Sequence, residues 1–166
     1  MLVIKRGDVI AGLGLLRAGL DEFGKDRVAA RSLLFLTEMA EALGRAGEIA
    51  DGLAVAEGAI ERSEQNGDRW AIAEFLRVKG ELLFLQGAEG AAAAAEDHFR
   101  QALDWARRQG ALSWELRAAT SLARLLRNQG HTADAKSLLQ PVYDRFTEGF
   151  DTADLKAAKA LLDALQ

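Results

Sequence analysis

The sequence predicts an all-α fold, a superhelix of about three to four helical hairpins with a C-terminal capping helix. Three observations carry that expectation. Good helix formers dominate the composition, with one proline in 166 residues, and the β-branched residues that favour strands are few. Glycines recur in two interleaved combs, the mark of a chain built from stacked repeats. Between those glycines the apolar residues return with a helical period.

The first comb is Gly7, Gly47, Gly87 and Gly130, spaced by 40, 40 and 43. The second is Gly24, Gly67 and Gly110, spaced by 43 and 43. The first marks the turn within a hairpin and the second the turn between hairpins, because helices often end on a left-handed residue that glycine adopts freely. One domain over residues 1–166 follows, with a partial repeat at 1–24, repeats at about 25–66, 67–109 and 110–148, and a capping helix at 151–166. If Gly7 is a within-hairpin turn, residues 1–6 end a helix whose beginning is absent. Residues 9–23 then form a second helix whose inner face lacks its partner. A solenoid normally caps its ends with a polar face. The expectation is therefore a fragment of a longer protein, or a homodimer through residues 9–23.

Each repeat carries its own helical stripe. Leu33, Leu36, Met39, Ala40 and Leu43 mark it in the first full repeat, and Ala73, Leu76, Gly80 and Leu83 keep the frame in the second. Leu116, Ala119, Leu122, Ala123 and Leu126 do so in the third. Asp26, Asp68, Ser113 and Thr132 follow closely on glycines and are the expected N-caps. Pro141 falls inside a predicted helix, where it removes a hydrogen bond and kinks the last hairpin. Phe150, Leu155, Ala158, Leu161 and Leu162 suit a terminal helix that closes the core, started by Asp151 or Thr152.

Composition then removes several functions. Apolar residues at 49% and charged residues at 28% describe a globular chain and not a disordered one. A net charge of −4 supplies no field for a polyanion, so no nucleic-acid partner is expected. The absence of cysteine excludes disulfides, thiolate catalysis and zinc–cysteine sites. No stretch approaches the roughly 18 apolar residues of a membrane span. Asp8 and Arg17 interrupt the only apolar region that might serve as a secretion signal. A cytoplasmic protein without a membrane partner is expected.

The repeat pattern resembles the tetratricopeptide repeat. The small residue of the first helix falls at Ala40, Gly80 and Ala123, seven before each turn glycine. The small residue early in the second helix falls at Gly52, Ala95 and Ala135, the later large position at Ala56, Phe99 and Leu139, and the last small position at Ala59, Ala102 and Val142. Small residues let two helices approach closely, which is the expected reason for a glycine at position 80. The match departs from the family in its period of 40 to 43, against a usual value of about 34. It departs also in the longer Gly87–Ala95 connection and in Val142 at the last small position. The helices are therefore longer, or the connections looser, than in the standard repeat.

A second resemblance covers residues 70–166. It is carried by Glu81-Leu82-Leu83, Phe99-Arg100-Gln101-Ala102-Leu103 and Ala106-Arg107-Arg108-Gln109-Gly110-Ala111. Ser113-Trp114-Glu115-Leu116-Arg117-Ala118-Ala119, Ser121-Leu122-Ala123-Arg124-Leu125 and Pro141-Val142-Tyr143 continue it, and Phe146-Thr147-Glu148-Gly149-Phe150-Asp151-Thr152 closes it. These runs resemble the C-terminal repeat region of large bacterial regulators that carry a class III nucleotide cyclase or winged-helix domain and a signalling-type ATPase. The resemblance implies a regulatory module that senses or binds while catalysis lies upstream. No cyclase or ATPase motif stands in this chain, so it implies no catalytic residue here.

The chain's own residues carry no motif that would add catalysis to that reading. Gly12-Leu13-Gly14 with Gly19 misses the dinucleotide spacing and follows no predicted strand, and there is no phosphate-loop or nucleophile-elbow motif. His98 and His131, the only histidines, sit in different repeats without a second ligand at helical spacing. No cofactor or metal is expected. Trp70, Trp105 and Trp114 read as wedges between hairpins.

The groove is the one constellation that suggests recognition. In tetratricopeptide solenoids the first helix of each hairpin lines the concave face. Its outward positions here are Thr37, Glu41 and Arg45, then Glu74, Arg77 and Glu81, then Arg117, Thr120, Arg124, Arg127 and Asn128. Arg117, Arg124 and Arg127 share a face and offer forked donors to a carboxylate or phosphate. The sequence thus predicts a non-catalytic module that binds a protein, a peptide, an effector or upstream domains of its own polypeptide. The alternative is a free-standing, self-associating scaffold.

Overall fold

The computed structural model describes residues 30–65, 67 and 69–165, together with residues 12, 14, 15 and 18. Among the described residues all regular structure is helical. The helices are α1 (Ala30–Arg45), α2 (Ile49–Gln65), α3 (Ile72–Gln86), α4 (Ala91–Gln109), α5 (Leu112–Asn128), α6 (Thr132–Tyr143) and α7 (Ala153–Asp163). Gly7, Gly24, Asp26, Asp68 and the proposed pairing face at residues 9–23, apart from residues 12, 14, 15 and 18, lie outside the described residues.

Each helix packs on the next, and α1 also touches α3, α3 touches α5, and α5 touches α7. The odd-numbered helices thus form one layer, and α2, α4 and α6 each bridge two neighbours within it. Every described turn glycine of the two combs, at 47, 67, 87, 110 and 130, has a positive φ. Past three of them the chain closes the helix with a bond five residues back, Glu48 N–H to Leu43 O, Ala111 N–H to Ala106 O and His131 N–H to Leu126 O, each at 2.9 Å.

That tight closure moves the helix starts. The N-cap positions fall on Ala111 and His131, directly after the glycines, and neither makes a side-chain cap bond. Ser113 and Thr132, expected as caps, are already inside α5 and α6. Thr152 is the N-cap of α7 as expected, although its hydroxyl donates to Gly149 O at 2.7 Å and not into the helix. Helix α6 runs through Pro141 to Tyr143. The long repeat period comes from the helices themselves, since α1 to α5 have 16, 17, 15, 19 and 17 residues.

Small residues set the spacing within each hairpin. A Cβ on Gly52 would stand 3.0 Å from Ala40 O, and one on Gly80 would stand 2.6 Å from the Phe99 ring and 3.2 Å from Ala95 O. The third hairpin uses Ala123 and Ala135, both fully buried. Leu116, Ala119, Leu122 and Leu126 of α5 join Phe99, Leu139, Leu155, Leu161 and Leu162 in one core cluster. Phe150, expected in that core, precedes α7 and is 48% exposed. Its ring centroid lies 6.0 Å from that of Tyr143, so it packs across the connection and not beneath it.

Trp70 and Trp114 do sit between successive hairpins, with ring centroids 5.8 Å apart over a cluster containing Leu36 and Phe75. Trp105 packs at the edge of the main core, with the guanidiniums of Arg69 and Arg108 each 5.8 Å from its ring. Glu115, buried at the start of α5, accepts from Arg107 Nε at 3.1 Å and from Arg145 Nη1 at 2.5 Å. It therefore ties the end of α4 to the segment after α6.

The two helical glycines 58 and 80 separate propensity from packing. At Gly58 an added Cβ meets only an Arg62 nitrogen at 3.6 Å, so Gly58→Ala should stabilise by about 0.5–1 kcal/mol through helix propensity. At Gly80 the same methyl must displace a buried phenyl ring, and the cost of overpacking, about 1–3 kcal/mol, outweighs that gain. Urea unfolding of the two variants should shift the midpoint in opposite directions; a stabilised Gly80→Ala would remove close approach as the reason for that glycine.

Candidate functional site

Helix α3 is enclosed by α1, α2, α4 and α5, and residues 71–78 are buried without a break. Glu74 and Arg77 therefore lie inside the helical layer and do not face solvent as outward positions would. Arg77 forks onto Glu74, with Nε to Oε2 at 2.9 Å and Nη2 to Oε1 at 2.8 Å. The same guanidinium reaches Glu41 of α1 and lies 3.8 Å from Glu81 one turn further along α3.

Arg117 of α5 completes the junction. It pairs with Glu74, donates to Glu41 Oε1 at 3.4 Å, and lies 3.9 Å from Asp154 of α7. One side chain thus meets carboxylates from all three of the other odd-numbered helices. Around this centre Arg45 donates to Glu41 Oε2 at 3.2 Å, and Arg124 lies 3.6 Å from Glu81. Ser121 donates to Glu81 Oε1 at 2.5 Å, while the buried Thr120 hydroxyl turns back to Leu116 O at 2.7 Å.

The charges are fixed. Burial alone would push the Glu41 carboxyl up, but Arg77 and Arg117 outweigh it and hold Glu41 below the ordinary value of 4.5. Burial likewise opposes the Arg77 charge, and Glu74, then Glu41 and Glu81, more than reverse that, so Arg77 holds its proton more firmly than a free arginine. Both groups therefore keep their charges near neutral pH. His98 lies elsewhere, on α4, where burial and then Lys79 push it below its usual range. Among the described residues no group of three His, Asp or Glu is placed to hold a metal ion, and no helix is long and apolar enough to cross a membrane.

Two adjoining concavities open on this face. The larger, about 240 Å³, lies between Arg45, Arg77, Glu81, Leu82, Leu85 and Arg124. The smaller, about 120 Å³, lies between Arg77, Arg117, Ser121, Arg124 and Asp154.

Of the groove residues expected from sequence, the structure brings Glu41, Arg45, Glu74, Arg77, Glu81, Arg117 and Arg124 into one network. Thr37 and Thr120 are buried, and Arg127 and Asn128 are exposed and line neither concavity. Sequence reasoning missed Ser121, although it stands four residues from Arg117 on the same face, and it missed Leu85. It had no route to Asp154, whose place depends on how α7 docks.

Removing Arg77 leaves the buried Glu74 with Arg117 alone. Arg77→Ala should cost about 3–5 kcal/mol, because it leaves Glu74 buried without its fork; a loss near zero would show that the pair is not desolvated. Acid should weaken the same junction. With Glu41 held low, its contribution is complete above pH 4.5 and is lost as pH falls through the folded-state value. Thermal melts should therefore drop more steeply below pH 4.5 in the wild type than in Glu41→Gln, and equal slopes would remove Glu41 from the account. No protein-family model matches the chain, and no curated protein matches it.

Proposed function

We propose that the chain is a non-catalytic binding module with a tetratricopeptide-like superhelical arrangement, acting in the cytoplasm as the regulatory C-terminal part of a larger bacterial signalling protein. Its partner is a protein, a peptide, an effector or an upstream domain of the same polypeptide. The binding face is the layer of α1, α3 and α5. The observation that carries this reading is the fixed charge network that joins those three helices beneath an open furrow. Preformed, rigidly held polar groups beside a concavity favour recognition, because little ordering is left to be done on binding.

A second reading is a free-standing scaffold that self-associates through residues 9–23. Leu15, within that segment, is 62% exposed, and such an interface would remove its side chain from water. Light scattering over a dilution series separates the two, because only the scaffold changes mass with concentration.

The regulatory reading is tested on the parent enzyme with and without residues 1–166. The expected result is a change of about tenfold in the cyclase or ATPase rate, or loss of its response to an effector, which corresponds to a coupling of about 1–3 kcal/mol. Arg124→Glu in the intact protein should reproduce that loss without altering the far-UV helical signal. An unchanged rate and response in both would sink the regulatory role.

A further inference from the structure

We propose that the larger concavity between α1, α3 and α5 binds one small hydrophobic monocarboxylate, gripped by Arg45 and Arg124 with its hydrocarbon against Leu85, above the buried Leu82. The inference rests on reading the odd-helix face as a binding surface, and it names the ligand class for that surface.

The four arginines of the network differ in what they have left to offer. Arg77 is buried and forked onto Glu74, with Glu41 also in contact, and Arg117 already meets carboxylates on three helices. Arg45 touches only Glu41, through one nitrogen, and its side chain is 51% exposed. Arg124 lies 3.6 Å from Glu81, beyond hydrogen-bonding distance, and its side chain is 47% exposed. Among the described residues neither makes another ion pair. Their forked donors are therefore open to a ligand, from helices on either side of α3.

The local charge fits one anion. Of the charged residues that line this concavity, Arg45, Arg77 and Arg124 face Glu41 and Glu81, an excess of one positive charge. Asp154 supplies a further carboxylate only at the smaller concavity. The apolar half of the ligand has its own wall. Leu85 is 56% exposed on the last turn of α3 and lines the same space as Leu82, so covering it is favourable.

Size and neighbouring chemistry point to a small molecule. The volume of about 240 Å³ is below the ~300–1,000 Å³ of sites for drug-sized ligands. Toward α7 the furrow's hydroxyls are committed, Ser121 to Glu81 and Thr120 to Leu116 O. An extended peptide running that way would meet no free hydroxyl donor among the described residues.

The test is a titration of the full chain with hexanoate, followed through the methyl resonances of Leu82 and Leu85, with hexan-1-ol as the uncharged control. Hexanoate should give saturable shifts with a Kd of about a millimolar or below, and hexan-1-ol should bind at least about fivefold more weakly. Arg45→Gln and Arg124→Gln should each weaken hexanoate by about fivefold or more. Lys136→Gln, an exposed cation on α6, should leave it unchanged, with far-UV spectra confirming that all three variants fold. Absence of saturable binding, equal binding of the alcohol, or an equal effect of Lys136→Gln would overturn the proposal. A peptide ending in a free leucine carboxylate that outcompetes hexanoate would overturn the small-ligand assignment. If hexanoate fails while deletion of residues 1–166 still changes the parent enzyme's rate, the ligand class is wrong and the regulatory reading stands.

Discussion

Arg77 occupies the middle of α3, buried among its neighbouring helices beneath the floor of the two concavities. It is held there by a fork to Glu74 and a contact with Glu41 across the layer. A buried charge is tolerated only when its partners are in place, so the position of α1 against α3 is constrained to one that brings Glu41 to Arg77. A shift of one helical turn, about 5.4 Å, would strand both groups. Arg117 applies the same constraint to α5 and extends it to α7 through Asp154. Charge pairing of this kind adds little stability over an apolar substitute of the same volume. What it supplies is register, and the concavities on this face inherit their shape from that register.

The hairpins that carry these charges are spaced by small residues. Gly52 against Ala40, and Gly80 against Phe99 and Ala95, bring paired helices closer than larger side chains would permit. The apolar core follows from this approach, since Phe99 reaches under α3 only because position 80 has no side chain. Positive-φ glycines then reverse the chain within a few residues, so the odd-numbered helices return to one layer.

Within the odd layer the arginines fall into two sets. The inner arginines share the buried Glu74 and meet further carboxylates from neighbouring turns and helices, while the outer two keep exposed donors beside an uncovered leucine. The inner set is stiff, and the outer set can rearrange at low cost because exposed ion pairs contribute little. A ligand that neutralises the surplus charge can replace those weak contacts without disturbing the junction below.

Much of this was legible from sequence alone. The glycine combs at 47, 87, 130 and at 67, 110 located every described turn in the three hairpins, and the small positions 40, 52, 80, 95, 123 and 135 located the contacts within them. These features are local, since left-handed backbone and close approach each demand a particular residue type at a particular place. The tetratricopeptide resemblance, read with the helical period, picked out Glu41, Arg45, Glu74, Arg77, Glu81, Arg117 and Arg124 as one face of successive helices, together with Thr37, Thr120, Arg127 and Asn128, which lie outside the charge network. It could not tell which of them are buried, because that depends on whether a neighbouring helix covers the face. Only the tertiary structure decided that Glu74 and Arg77 lie inside, that Asp154 joins from α7, and that Leu85 stays bare. Burial is a property of what surrounds a helix, and a sequence pattern records only the helix itself.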